Sequence, residues 1–193
     1  MAQKFILFQP PPIRDPIADS GRGFLVTFQW EQWFHRLLAG IFNRQSCHVY
    51  FTADQSIANN TETDLLFSAE EHDNASFHST SSNTDQLVIP EDGIYCVGAH
   101  VLWASGAAGT RNLLLTLNDP APSASVARLA DNRVTLAVTE NAWNQVTVVR
   151  SFLAKDVLRL SVFQVSGGNL AVNGTDTSGP RANGFWCYKV SGV

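Results

Sequence analysis

Leu87-Val-Ile-Pro-Glu-Asp-Gly-Ile-Tyr-Cys-Val-Gly-Ala-His-Val-Leu-Trp103 decides how the rest of the chain is read. Pro90 and Gly93 flank two acids, which is turn chemistry: proline fixes φ and glycine tolerates positive φ. From Ile94 the backbone can run extended for ten residues, and successive side chains then point to opposite faces. Ile94, Cys96, Gly98, His100 and Leu102 fall on one face; Tyr95, Val97, Ala99, Val101 and Trp103 fall on the other. Neither set suits water. An antiparallel strand with one wet face alternates apolar with polar residues, so this strand is expected to be covered on both sides. With few helices available, the simplest arrangement is a β-sandwich whose outer face is covered by another copy of the chain.

Downstream and upstream of this stretch the pattern is period two, broken by Gly, Asn, Asp and Ser clusters. Strands are predicted near 47–53, 64–69, 75–79, 86–89, 94–103, 111–117, 126–130, 133–139, 145–154, 157–165 and 183–190. Asp131-Asn132 and Glu140-Asn141 are among the turns between them. Short strands at this spacing, without intervening helices, indicate an all-β sandwich or barrel. The closing stretch, Asn183-Gly-Phe-Trp-Cys-Tyr-Lys-Val190, again has two apolar faces.

Several landmarks resemble the C1q/TNF-like jelly roll. Leu87-x-x-Pro90-x-x-Gly93-Ile-Tyr95 resembles its P-x-x-G-[IVL]-Y signature. Asp73-Asn-Ala-Ser-Phe77 resembles its D-N-x-x-[FY] turn, and Leu113-Leu-Leu-Thr-Leu-Asn118 a strand that follows. Leu153-Ala-Lys-Asp156-Val-Leu-Arg-Leu160 resembles L-x-x-G-D-x-[IV]-x-L, and Gly184-Phe-Trp-Cys-Tyr188 the final strand. Two positions depart from the pattern: Lys155 stands where the glycine before Asp156 is expected, and Ala182 where an aromatic is expected. The resemblance covers residues 45–193. It implies a ten-stranded jelly roll that assembles as a homotrimer, with Tyr95, Val97, Val101, Trp186 and Tyr188 at the trimer interface.

The first 45 residues read as a separate anchoring or assembly segment, and residues 46–193 as the head. Pro10, Pro11, Pro12 and Pro16 argue for an extended arm over residues 1–23. Thr27–Asn43 is the one good helix candidate, with Trp30, Trp33, Phe34, Leu37, Leu38 and Ile41 on one face. That face packs on its own sandwich, on copies of itself, or on a larger assembly. Residues 9–42 also resemble the opening of many tailed-phage structural proteins, a Pro/Asp-rich arm followed by a W-x-x-[WF]-F-x-x-L helix. The resemblance implies that Trp30, Trp33, Phe34, Leu37 and Ile41 anchor the chain to a capsid or tail.

Bulk properties narrow the function. The chain has 193 residues, 45% hydrophobic and 16% charged, with a net charge of −4 and scattered cations. That is no electrostatic footprint for nucleic acid. No apolar run is long enough for a membrane helix, and Met1–Pro10 does not form a secretory signal, so synthesis in a bacterial cytoplasm and residence in a virion are expected. Cys47, Cys96 and Cys187 lack C-x-x-C spacing and read as buried thiols. His35, His48, His72, His78 and His100 show no H-x-H or H-E-x-x-H spacing, and His100 reads as a satisfied interior residue. Glu70-Glu-His-Asp73 could hold Ca²⁺ but reads first as a solvated loop. No nucleophile motif can be assembled. The expectation is a non-enzymatic phage virion protein, without cofactor or metal, whose trimeric head binds a host glycan or protein as a fibre or spike. Trp103, Asn112, Trp143 and Asn144 are the candidate ligand contacts. A capsid cement protein without a receptor is the first alternative, and a polysaccharide-degrading enzyme the second.

Overall fold

The computed structural model describes residues 18–19, 25–26, 29–35, 44–119, 128–137, 139–175 and 181–192. The chain divides into two compact units, Met1–Arg44 and Gln45–Ser191. In the first, β1 (Ala18–Asp19) pairs antiparallel with β2 (Leu25–Val26), and residues 29–35 are helical. Within that helix Trp30, Trp33 and Phe34 share one face, with ring centroids 5.1–5.7 Å apart. The remainder of the predicted helix, including Leu37 and Ile41, lies outside the described residues.

The second unit is two antiparallel sheets. The larger contains β3 (Ser46–Tyr50), β4 (Gln55–Ile57), β6 (Ala69–Asp73), β8 (Gly93–Gly106), β11 (Glu140–Phe152), β13 (Leu170–Val172) and β14 (Asn183–Ser191). The smaller contains β5 (Thr63–Asp64), β7 (Gln86–Val88), β9 (Gly109–Leu117), β10 (Arg128–Leu136) and β12 (Val157–Val165). β8 is the spine of the larger sheet. β11 pairs along almost its whole length on one edge; β14 and then β13 occupy the other. β14 lies between β8 and β3, and β6 continues the sheet beyond β3.

The turn feeding β8 is tied down by its own acids. Lys189 Nζ donates to Glu91 Oε1 at 2.5 Å, Ala154 N donates to Asp92 Oδ1 at 2.8 Å, and the Tyr95 hydroxyl donates to Glu91 O at 2.8 Å. The hydrophobic core fills the space between the sheets. It contains Tyr95, Val97, Ala99, Val101 and Trp103 from β8, Leu113 and Leu115 from β9, Leu158, Leu160 and Val162 from β12, and Phe185 and Cys187 from β14. Phe51, Phe67 and Phe185 stack in sequence, as do Phe77, Tyr95 and Phe152, at 5.5–6.3 Å between rings. Cys47 and Cys187 sit opposite each other in the register, reduced and buried, and desolvation pushes both thiols far up.

Several expected boundaries move. Residues 75–79 are a bend at Ala75 followed by an irregular segment, not a strand: the Asp73 carboxylate accepts Ala75 N at 3.0 Å and His78 N at 2.8 Å. Asp131-Asn132 lies inside β10, because Asn132 serves as the acceptor for a buried side chain from β11. Glu140-Asn141 opens β11 and does not form a turn. Glu70–Asp73, expected in a loop, is β6. Lys155 adopts φ +74°, the left-handed conformation that favours glycine, at the place where the resembled pattern has one.

Candidate functional site: the outer face of the larger sheet

Residues directly opposite across an antiparallel pair point to the same face. Cys187 stands opposite Val97 and Phe185 opposite Ala99, all in the core; Trp186 therefore shares the outer face with its partner Gly98, and Tyr188 with Cys96. On β11, Trp143, Gln145, Thr147 and Val149 stand opposite Leu102, His100, Gly98 and Cys96, and complete that face. Large hydrophobic side chains stand exposed on it beside the polar Gln145 and Thr147. Val149 is 61% exposed, Trp143 46%, Tyr188 44% and Val190 39%.

A row of rings crosses the face from strand to strand. Trp143 on β11 lies 5.8 Å from His100 on β8; His100 lies 5.7 Å from Trp186 on β14; Trp186 lies 6.1 Å from His48 on β3; His48 lies 6.4 Å from His72 on β6. Gly98 makes the row possible. A Cβ there would fall 2.4 Å from Trp186 Cζ2, so the indole lies against bare backbone. Arg181 packs beside the row, its guanidinium 3.6 Å above the Tyr50 ring. Desolvation lowers the His48 and His100 pKa values, outweighing the Glu71 carboxylate beside His48 and the Arg181 carbonyl beside His100.

The sequence-derived site residues divide between this face and the interior. Trp186 and Tyr188 are on it. Tyr95, Val97 and Val101 are not: they fill the sandwich interior with no exposed surface, so a second copy cannot reach them. That part of the expected interface is corrected, since both faces of β8 are apolar and the register puts these three inside. Trp103 and Asn144 are also interior and bonded to each other, not exposed for a ligand. Trp143 is on the outer face, while Asn112 is on β9 in the other sheet, beside Arg133 and Phe163. The four do not form one site. His100 is half-buried on the outer face, not interior. The acids of β6 disperse: Glu70 pairs with His78 at 3.0 Å and Glu71 with His48 at 2.6 Å. Among the described residues no group of three or more His, Cys, Asp or Glu side chains converges on one point. Sequence reasoning missed His48 and Val149 on this face. Only the pairing of β3, β11 and β14 around β8 reveals them.

Two solved structures share this arrangement of sheets. Eiger TNF from S. frugiperda superposes with a TM-score of 0.57 at 13% identity, covering 78% of this chain and 94% of that one. Murine APRIL, in a crystal grown at pH 5.0, superposes with a TM-score of 0.58 at 11% identity, covering 76% and 99%. The fold is a TNF-like jelly roll. No family model matches the sequence, and no curated protein does. The jelly roll thus accounts for the motifs at Pro90–Tyr95 and Gly184–Tyr188 as structural ones: the first builds the turn into β8, and the second builds the strand that β8 and β3 share.

Proposed function

We propose that this chain is a self-associating binding module: a homotrimeric jelly-roll head on a virion protein, with residues 1–45 attaching it to a capsid or tail. The observation that carries the reading is the apolar outer face of the larger sheet, with Trp143, Val149, Tyr188 and Val190 exposed around a row of aromatic and imidazole rings. Large apolar side chains exposed together on one sheet face suit an interaction site. The resemblance of the sequence to C1q/TNF-like domains supports a homotrimer as the assembly. The resemblance of residues 9–42 to phage structural proteins supports the attachment role, and the cluster of Trp30, Trp33 and Phe34 on one helical face is suited to it. The activity is binding, not catalysis. A host glycan or protein would be met at the loops of the sandwich.

The test is solution mass by multi-angle light scattering, on the full chain and on residues 46–193. A mass of three chains in both supports the head as the seat of assembly. A single chain at micromolar concentration in both overturns it. Retention on host cells, against retention on capsids alone, then separates a receptor-binding head from a cement protein.

A further inference from the structure

The three central strands of the larger sheet carry no formal charge on their outer face. The outward residues between Trp143 and Val149 on β11, between Leu102 and Cys96 on β8, and between Gly184 and Tyr188 on β14 include no Asp, Glu, Lys or Arg. Of these residues His100 alone changes charge between about pH 5 and 8. It stands in the middle of the strip, its ring 5.8 Å from Trp143 on one side and 5.7 Å from Trp186 on the other. Gly184, opposite it on β14, lets the ring lie against bare backbone: a Cβ there would fall 2.9 Å from His100 Cε1. The imidazole is half-buried and packed in place.

A charge on this ring has no counter-charge beside it. On β11 His100 faces Gln145 and Trp143, on β14 Gly184 and Trp186, and beyond β14 the imidazole of His48 on β3. The segment entering β14 supplies the Arg181 carbonyl oxygen, 3.1 Å from His100 Nε2, while the Arg181 guanidinium lies over Tyr50. Among the described residues the histidines that pair with a carboxylate are His35, His48 and His78. Burial disfavours the charged form of His100, and His48 adds to this against the carbonyl. His48 differs: its Nδ1 lies 2.6 Å from Glu71 Oε2, so a proton taken up there is matched in place.

We propose that His100 is an acid-release switch for self-association: the neutral ring is buried where copies of the chain join, and its protonation drives them apart. The inference rests on the reading of the outer face as the contact between copies. A second copy presents the same uncharged strip, so joining two strips at pH 7.5 desolvates no formal charge. Below the pKa of the ring, joining instead buries an imidazolium with no carboxylate to pair it, which is costly. The joined state therefore holds the ring neutral more firmly than the single chain does. Association then weakens as pH falls through the single-chain value. Symmetry multiplies the effect, because each copy brings its own His100. A tenfold preference for the neutral ring, entered once per chain, lowers the association constant of a trimer by up to about a thousandfold.

The experiment is sedimentation equilibrium on the full chain at pH 7.5 and 5.5, reading the chain concentration at half-dissociation. Between the two it should rise at least about tenfold for the parent and less than about twofold for His100→Gln, which cannot be charged. His48→Gln should keep most of the parent's response. His100→Lys, charged at both pH values, should already be weakened at pH 7.5. Glu62 and Asp64, pushed up by burial, stand at β5 in the smaller sheet and are common to parent and variants, so the comparison cancels them. Circular dichroism at both pH values checks the fold, and His100→Asn replaces His100→Gln if that variant unfolds. An equal half-dissociation concentration at both pH values for the parent, or an equal rise in His100→Gln, overturns the switch and leaves self-association standing. A response lost in His48→Gln but kept in His100→Gln overturns it too. A single chain at every concentration and both pH values overturns self-association and the switch with it.

Discussion

Trp103 Nε1 donates to Asn144 Oδ1 at 2.8 Å in the interior of the sandwich, so β8 and β11 are joined by a side-chain bond as well as by their backbone ladder. Asn144 Nδ2 in turn donates to Asn132 O at 3.0 Å, which ties β10 of the opposite sheet to the same point. Asn144→Ala removes the acceptor and leaves the indole N–H buried without a partner. The expected cost is about 2–3 kcal/mol, or a fall in melting temperature on the order of 5–10 °C for a chain of this size. Thermal and urea unfolding would show it. Unchanged stability would mean that the bond contributes nothing to the fold.

Val149 is the most exposed large hydrophobic residue of the outer face and stands opposite Cys96. If that face joins copies of the chain, Val149→Glu places three carboxylates in an apolar interface, and the mass by light scattering should fall to that of one chain with the circular dichroism spectrum retained. Leu153→Glu is the control. Leu153 is equally exposed, at 63%, but lies in the turn between β11 and β12. It should leave the mass unchanged.

Lys155 occupies φ +74° in that turn. A left-handed conformation costs an L-residue about 1–2 kcal/mol, of which glycine's larger unfolded-state entropy would take back about 0.5–1. Lys155→Gly keeps the backbone bond from residue 155 N to Ile89 O and should raise stability by roughly 0.5–1 kcal/mol. A loss of stability in urea unfolding would show that the lysine side chain matters more than its backbone angle.

The outer-face histidines give stability a pH dependence with a definite sign. Around His48, Glu71 favours the charged ring while burial, Arg181 and His72 disfavour it; around His100, burial and His48 outweigh the Arg181 carbonyl. Both folded pKa values lie below the unfolded value of about 6.5. Their contribution is therefore fully present above about pH 7 and is lost as pH falls through the folded values, because the unfolded chain takes up protons first. Asp64 and Glu62 are shifted the other way by burial, and their contribution grows on acidification. Comparing the parent with a His48→Gln/His100→Gln variant isolates the histidines. The parent should lose more stability between pH 7.5 and 5.5 than the variant does, and parallel curves would refute the assignment.

β8 was legible because ten residues with two apolar faces and a Pro-x-x-Gly entry have few other interpretations. Which face lies inside was not legible. Tyr95, Val97 and Val101 are as apolar as Cys96 and Leu102, and only the pairing of Val97 with Cys187 and of Gly98 with Trp186 separates them. For the same reason Trp143 and Asn144, adjacent in sequence, looked like one loop-side pair although they point to opposite faces of β11. The ring row was beyond sequence reasoning altogether. His48, His72, His100, Trp143 and Trp186 are brought together by lateral pairing of five strands, which leaves no trace in spacing along the chain. Asp131-Asn132 misled because turn-forming residues are usually read for backbone conformation, and here Asn132 is used for its oxygens.

β14 is the last of the described strands and lies within its sheet, between β8 and β3. A ribosome delivers this chain from the other end. At about 5–20 residues per second, the 85 residues between the end of β8 at Gly106 and the end of β14 at Ser191 take roughly 4 to 17 s to synthesise. Throughout that interval β3 and β8 each present an open edge, and β8 is apolar on both sides. Such edges template pairing with other chains. Nascent copies on one messenger are therefore exposed to mispairing until residue 191 has emerged, and the yield of folded protein should depend on translation speed and on chaperones that shield strand edges.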